Sequence, residues 1–364
     1  MIVVAKIGTT SITDAAGEVD RLAIEKLAVE VVALRSRGHR VVVVTSGAVT
    51  AGLPALGLGG NRPTDLGTLQ AVSAVGQSRL MRVYDDVFAS HGLVGGQVLL
   101  APLDFVHRQQ YLHARQTLVR LLDLGVVPIV NENDAVADDE LRFGDNDRLA
   151  ALVAHLVAAE LLVMLTDTEG VFTADPRIDT RASLIEEVVE VDHQLQLAAG
   201  GSASERGSGG MASKLAAARM AAWSGVRTVI ASARRAGVLA AAVAGESGVG
   251  TVVRPRDRRL SARKLWIAFA VGAAGTVVVD AGAQAAIVER GTSLLPAGVK
   301  EVRGSFDAED AVEIAGEDGQ VFAKGLARQP SAIIRSWAGR RSSDLPPDMS
   351  PEVVHRDDLV VIPE

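Results

Sequence analysis

The chain has no cysteine, no net positive charge and no uninterrupted apolar stretch long enough to span a bilayer. Each absence excludes something. Without cysteine there is no disulfide and no thiolate metal site. A formal net charge of −7 disfavours nucleic acid as the main partner, because phosphate binding needs a basic face. The longest apolar run, Leu149 to Leu165, is interrupted by His155 and Glu160, so it reads as a helix followed by a strand rather than a membrane span. The N-terminus, MIVVAKIGTTS, lacks a basic n-region and a full signal h-region, which makes the cytoplasm the default location. No internal repeat is present. The seven histidines offer no Ser–His pair for acyl transfer, and no metal-ligand spacing surrounds His193 or His355.

What is present is a chain of 364 residues, 48% hydrophobic, enough for about two or three domains with large cores. Ile2 to Ile7, an apolar run carrying Lys6 near its end, and Val41 to Val44 are rich in β-branched residues, the pattern of strands buried on both faces. Gln97 to Leu100, Val126 to Val130, Leu161 to Leu165 and Thr228 to Ala231 read as further strands. Between them, Arg21 to Arg37, Leu69 to Phe88, Gln109 to Leu124, the run from Leu149 to Ala154, and Met211 to Trp223 have helical periodicity. This alternation predicts a mostly parallel sheet sandwiched between helices. Composition changes at Arg254-Pro255-Arg256-Asp257-Arg258-Arg259, read as a linker. The expected division is residues 1–255 as one domain and 256–364 as the linker plus a small β-rich domain. Its strands are placed at Thr276 to Val279, Ala286 to Val288, Val312 to Ile314 and Val353 to Ile362.

The chemistry gathers at strand ends and helix starts. Asn131 to Arg148, NENDAVADDELRFGDNDR, sets carboxylates and amides between a strand and a helix, where open α/β sheets bind ligands. Helix capping accounts for one of Asp145, Asn146 and Asp147, not for the whole cluster. A solvated acidic loop is the plain alternative. Gly207-Ser208-Gly209-Gly210-Met211-Ala212-Ser213-Lys214 runs small residues into a helix, the arrangement of an anion site. It is not a Walker A loop, since Ser213 precedes Lys214, and no strand precedes it as a dinucleotide fingerprint requires. Lys214 falls in the first helical turn, against the helix dipole, which a nearby anion would explain. Lys6 lies near the end of the first strand, where a snorkelling lysine is the ordinary reading. Thr45-Ser46-Gly47-Ala48 and Thr166-Asp167 end two other strands; each alone reads as an ordinary turn or polar strand end. Two lysines, a glycine nest and acid–amide groups suit phosphoryl transfer, which needs positioning and positive charge more than covalent help.

Together these segments resemble the amino-acid kinase family, in its glutamate-phosphorylating branch. The resemblance is carried by Lys6-Ile7-Gly8-Thr9-Thr10, Val44-Thr45-Ser46-Gly47-Ala48, Ala74-Val75-Gly76-Gln77-Ser78, Asn131-Glu132-Asn133-Asp134, Gly144-Asp145-Asn146-Asp147, Thr173-Ala174-Asp175-Pro176-Arg177 and Gly209-Gly210-Met211. The C-terminal region, with Glu289-Arg290-Gly291-Thr292-Ser293-Leu294-Leu295-Pro296-Ala297-Gly298, is similar to a PUA domain. The resemblance implies ATP-dependent phosphorylation of the L-glutamate γ-carboxylate, the first step of proline biosynthesis, with Mg²⁺ accompanying ATP. It implies L-proline as feedback inhibitor, a homo-oligomer, and glutamate-5-semialdehyde dehydrogenase as the partner that consumes the product. It also assigns residues. Lys6 and Lys214 contact the transferring phosphoryl group, and Asp147 orients both lysines. Ser46, Asp134 and Asn146 hold glutamate. Lys6, Thr166, Asp167 and Ser208, Gly209, Gly210, Met211, Ala212, Ser213 and Lys214 line the nucleotide site. Three positions depart from the pattern: His113 stands where asparagine is expected, and Ser208 and Ser213 replace threonines. The residues themselves agree on the substrate. Its γ-carboxyl is already ionised at neutral pH and needs no base, and a free α-ammonium needs the acceptors of the Asn131–Asp147 cluster. Two alternatives stand beside this reading: another carboxylate kinase of the same fold, and an RNA-binding protein acting through the PUA-like domain and the basic segment Arg254 to Lys264.

Overall fold

The computed structural model describes residues 1–14, 16–59, 62–101, 103–136, 146–176, 178–191, 195, 210–257, 259–345 and 350–362. The chain forms two compact units, Met1–Arg259 and Leu260–Glu364.

In the first unit the strands are β1 (Ile2–Ile7), β2 (Arg40–Val44), β3 (Gly95–Leu100), β4 (Val127–Glu132), β5 (Leu161–Thr166), β6 (Glu187–Val188), β7 (Arg227–Ser232) and β8 (Thr251–Val253). Among the described residues they make one sheet in the order β3-β4-β2-β1-β5-β7-β8-β6. Every pairing is parallel except β7 with β8. β1 is buried along its whole length, as a continuous apolar run on a two-sided sheet requires. The register aligns the carboxyl ends. Lys6 stands opposite Val44 of β2 and Met164 of β5, and Val44 stands opposite Val130 of β4. The loops leaving these strands therefore open on one edge of the sheet, either side of β1, where the strand order reverses direction.

The helices are α1 (Thr9–Ile12), α2 (Arg21–Ser36), α3 (Ala48–Gly52), α4 (Leu66–Ser90), α5 (Leu103–Val106), α6 (Arg108–Asp123), α7 (Asn146–Leu156), α8 (Met211–Trp223) and α9 (Val238–Ala244). Asp20 caps α2 by accepting from the Leu22 and Ala23 N–H groups, and Asp65 caps α4 from Thr68 N–H. α7 is longer than its apolar run: it begins at Asn146, so Asn146 and Asp147 lie in its first turn.

α3 and α4 touch backbone to backbone. A Cβ at Gly76 would lie 1.8 Å from the Ala48 carbonyl oxygen, and one at Gly52 would lie 2.1 Å from the Val72 carbonyl oxygen. Only glycine permits that approach. Gly47 enters α3 with φ +93°, a left-handed conformation that glycine adopts without strain. The turn after β2 is thus clamped against α4.

The segment read as a linker is docked on the first unit. Arg254 pairs with Glu187, and Arg256 pairs with Glu190 while lying 4.4 Å from the centre of the Trp223 ring. The Arg259 side chain covers Gly225.

In the second unit, β9 (Gly275–Val279), β10 (Val299–Gly304), β11 (Ala311–Ala315), β12 (Val321–Ala327) and β13 (Val354–Val361) form a sheet in the order β10-β9-β11-β12-β13. They are joined by α10 (Ala262–Leu265), α11 (Ala281–Arg290) and α12 (Ser331–Trp337). The strand expected at Ala286 to Val288 is instead part of α11. Asp280 caps that helix by accepting from Ala283 N–H at 2.8 Å, and Gly291 ends it in the left-handed region. Those two end signals outweigh the β-branched pair Ile287-Val288, whose Ile287 is the side chain the helix buries.

Candidate active site

The site is organised around Asp147, which is fully buried at the start of α7. Lys6 Nζ lies 2.6 Å from Asp147 Oδ1, and Lys214 Nζ lies 3.1 Å from Oδ2. Ser213 Oγ donates to the same Oδ2 at 3.2 Å. The lysines are 3% and 7% exposed, so all three ionic groups are buried together. Burial works against the Asp147 charge, but the Lys6 and Lys214 ammonium groups outweigh it and hold the carboxyl below its ordinary pKa. The anion that the placement of Lys214 in the first turn of α8 calls for is thus a protein carboxylate. Gly210 enters α8 extended and without a side-chain cap, which leaves the first N–H groups of the helix uncapped by any side chain among the described residues. Gly8 lies just past the end of β1, two residues after Lys6; a Cβ there would sit 3.7 Å from Lys6 Nζ.

Beside this cluster is a second one, built from amides. Asn146 Nδ2 donates to the Thr45 carbonyl at 2.6 Å and to Asn131 Oδ1 at 2.7 Å, with Ser46 Oγ at 3.1 Å. Asn131 Nδ2 donates to Gln77 Oε1 at 2.8 Å. Ser73 Oγ donates to Asp134 Oδ2 at 2.8 Å, and the Tyr84 and Thr45 hydroxyls are 2.9 Å apart. Burial pushes the Tyr84 phenol well above its usual pKa, which keeps it neutral. Ser73, Gln77 and Tyr84 share one face of α4, together with the close contact at Gly76. That face is the platform on which the turn after β2 and the end of β4 are assembled. A cleft of about 620 Å³ opens there, lined by Ser73, Gln77, Glu132, Asn133 and Asp134 among others.

Of the expected residues, Lys6, Lys214 and Asp147 meet in direct contact, and Asn146 bonds Ser46. Asp134 lies in the cleft beyond Asn131. Thr166 is buried at the end of β5, next to β1, and its hydroxyl donates to Asp167 at 3.0 Å; Asp167 is exposed. Gly210, Met211, Ala212 and Ser213 form the entry and first turn of α8. Ser208, Gly209 and Asp145 lie outside the described residues. The sequence reading gave no role to Gln77, Ser73 or Tyr84. Their signal was polar side chains recurring at helical spacing on the buried face of an otherwise apolar stripe.

Comparison with known proteins places these residues in a family. The model of the amino acid kinase family matches residues 1–232, and that of the PUA domain matches residues 275–346. The chain belongs to the amino acid kinase family, with a PUA domain following the kinase unit. Within that family it is similar along nearly its whole length to glutamate 5-kinases. That of Pelobacter propionicus is 43% identical over 364 residues, covering 99% of this chain and 97% of the relative. Those of Burkholderia cenocepacia (over 363 residues) and a Geobacter species (over 364) are 44% identical with the same coverage. Among solved structures, a T. acidophilum isopentenyl phosphate kinase product complex is 17% identical, covers 70% of this chain and has a TM-score of 0.48.

Proposed function

We propose that the chain transfers the γ-phosphoryl group of ATP to the γ-carboxylate of L-glutamate, giving γ-glutamyl phosphate for proline biosynthesis. The observation that carries the reading is the carboxylate of Asp147 gripping two buried lysines, directly beside an amide whose oxygen, Asn146 Oδ1, is buried with no hydrogen-bond partner among the described residues. The first feature suits a transferring phosphoryl group, the second a ligand N–H.

The residues divide the work. The γ-carboxylate of glutamate is the nucleophile and is ionised at neutral pH, so no base is required. Lys6 and Lys214 offset the negative charge on the phosphoryl oxygens as the P–O bond to ADP breaks and the bond to the carboxylate forms. Asp147 stays ionised and fixes both ammonium groups. Asn146 Oδ1 and Asp134 accept from the α-ammonium, and the Ser46–Ala48 turn offers backbone N–H groups to the α-carboxylate. Thr166, Asp167 and the start of α8 line the nucleotide site. The donors here are ammonium and backbone N–H groups, which fit phosphate oxygens; Mg²⁺, carried on the ATP phosphates, would supply further charge neutralisation.

On this reading the enzyme works in the cytoplasm as a homo-oligomer and hands its acyl phosphate to glutamate-5-semialdehyde dehydrogenase. L-Proline shares the α-carboxylate and cationic amine of glutamate, so the same acceptors bind it as a competing inhibitor. Trapping acyl phosphate as hydroxamate tests the substrate. L-Glutamate should give hydroxamate, and N-acetyl-L-glutamate and L-aspartate should not. Equal rates with the N-acetylated substrate would refute the assignment.

A further inference from the structure

Two buried side-chain atoms near the site lack a partner among the described residues: Asn146 Oδ1 and Gln77 Nε2. They are the two ends of a single chain of amides, Gln77–Asn131–Asn146. The oxygen and nitrogen of an amide have nearly the same shape, so their orientation is set by what they face. Two backbone groups set it here. The Glu132 N–H can only donate, and it donates to Asn131 at 2.9 Å, so Asn131 must turn its oxygen to that side. The Thr45 carbonyl can only accept, and it accepts from Asn146 at 2.6 Å, so Asn146 must turn its nitrogen there. With Asn131 Oδ1 so placed, Nδ2 faces Gln77, and Gln77 must answer with oxygen. The orphan atom at the Asn146 end is then necessarily an acceptor.

We propose that Gln77 is a positioning residue for the amino-acid substrate: by accepting from Asn131 it locks Asn131, and through it Asn146, in the orientation that presents Asn146 Oδ1 to the substrate's α-ammonium. This rests on the reading of the site as an amino-acid carboxylate kinase. Asn131 makes the link because its one amide bonds both neighbours. Gln77 is held for the task by the residue before it. Gly76 is in backbone contact with Ala48, so the Gln77 side chain starts from a point fixed relative to the turn after β2. Without an acceptor at position 77, Asn131 Nδ2 is a buried donor with nothing to bond, and the amide pair is left to its two backbone anchors, with Asn146 Oδ1 no longer held to one position before the ammonium.

The test separates recognition of the ammonium from general damage. Glutarate has both carboxylates of glutamate and no amine. Gln77→Met keeps the volume and removes the acceptor; Gln77→Glu keeps an acceptor facing Asn131. Preference for L-glutamate over glutarate is read in the full-length chain, both as a ratio of kcat/KM and as a ratio of binding constants by calorimetry. Gln77→Met should lower that preference about tenfold, through KM for glutamate, with KM for ATP and the response to glutarate within about twofold of wild type. Gln77→Glu should keep the preference within about threefold of wild type. Equal losses with both ligands, an unchanged preference in Gln77→Met, or a lost preference in Gln77→Glu would overturn the proposal. Wild type supplies the control. If it binds L-glutamate without phosphorylating it, the kinase reading fails while the binding ratio still decides the role of Gln77. If it shows no preference for the amine, both fail.

Discussion

At the scale of single residues, Asp147 decides whether the site exists. It lies between two ammonium groups with almost no access to water, where a charge left unpaired is costly. Asp147→Asn should therefore abolish turnover and also destabilise the first unit by about 3–5 kcal/mol, read as a lower urea midpoint. An inactive variant with unchanged stability would mean that the lysines find another anion. The lysines themselves contribute differently. Lys6→Ala or Lys214→Ala removes one preorganised positive charge, and turnover at saturating ATP and glutamate should fall about 10²–10³-fold with the fold retained. Near-normal turnover in either variant would make that lysine structural. Lys6 and Lys214 were legible in the sequence as cations at a strand end and a helix start. Their common partner, Asp147, was named only through the family resemblance; spacing alone could not give it, because Lys214 and Asp147 are 67 residues apart in the chain and the fold brings them together. Gln77 stood in the segment Ala74 to Ser78 that carries the resemblance, but its role was not legible, because its partner Asn131 is 54 positions away.

At the scale of elements, the contact of α3 with α4 fixes the turn after β2, to which the proposed function gives the substrate α-carboxylate. Gly76→Ala drives a methyl group into the Ala48 carbonyl. It should cost about 1–3 kcal/mol of stability as an overpacked contact and raise KM for glutamate more than KM for ATP. Equal changes in the two KM values would detach this contact from the amino-acid end of the site. The last turn of α7 carries a second consequence. Burial, and then the nearby Arg259 charge, lower the His155 pKa below its ordinary value. The folded chain then binds fewer protons at this residue than the unfolded chain. The stability contribution is complete above the unfolded pKa of about 6.5 and is lost as pH falls from there towards the folded value. His155→Gln should flatten that acid-side loss in a series of melting temperatures; identical slopes would place the loss elsewhere. Most elements were readable from period alone. Met211–Trp223 has the boundaries its periodicity implies, because Gly210 and Gly225 punctuate it. α11 was misread because a short apolar run has no period of its own, and only its cap distinguishes helix from strand.

At the scale of the molecule, composition changes near Arg254, whereas the first compact unit runs to Arg259. Arg256 and Arg259 lie on Trp223 and Gly225 of that unit. A chain ending at Arg259 should keep its kinase activity and melting temperature, whereas one ending at Pro255 should melt lower, having uncovered the Trp223 ring; equal melting temperatures would reduce the segment to a tether. The central claim, that a glutamate γ-carboxylate oxygen attacks phosphorus, is tested most directly by isotope transfer. L-Glutamate labelled with ¹⁸O in its γ-carboxylate is incubated with the chain, ATP, Mg²⁺ and hydroxylamine, and the released phosphate is analysed by mass. Attack by hydroxylamine on the acyl carbon expels phosphate with the former carboxylate oxygen still attached. The account predicts one ¹⁸O in each phosphate formed with hydroxamate, and none when only the α-carboxylate is labelled. Unlabelled phosphate from γ-labelled glutamate would contradict it, showing that water, not the substrate carboxylate, receives the phosphoryl group.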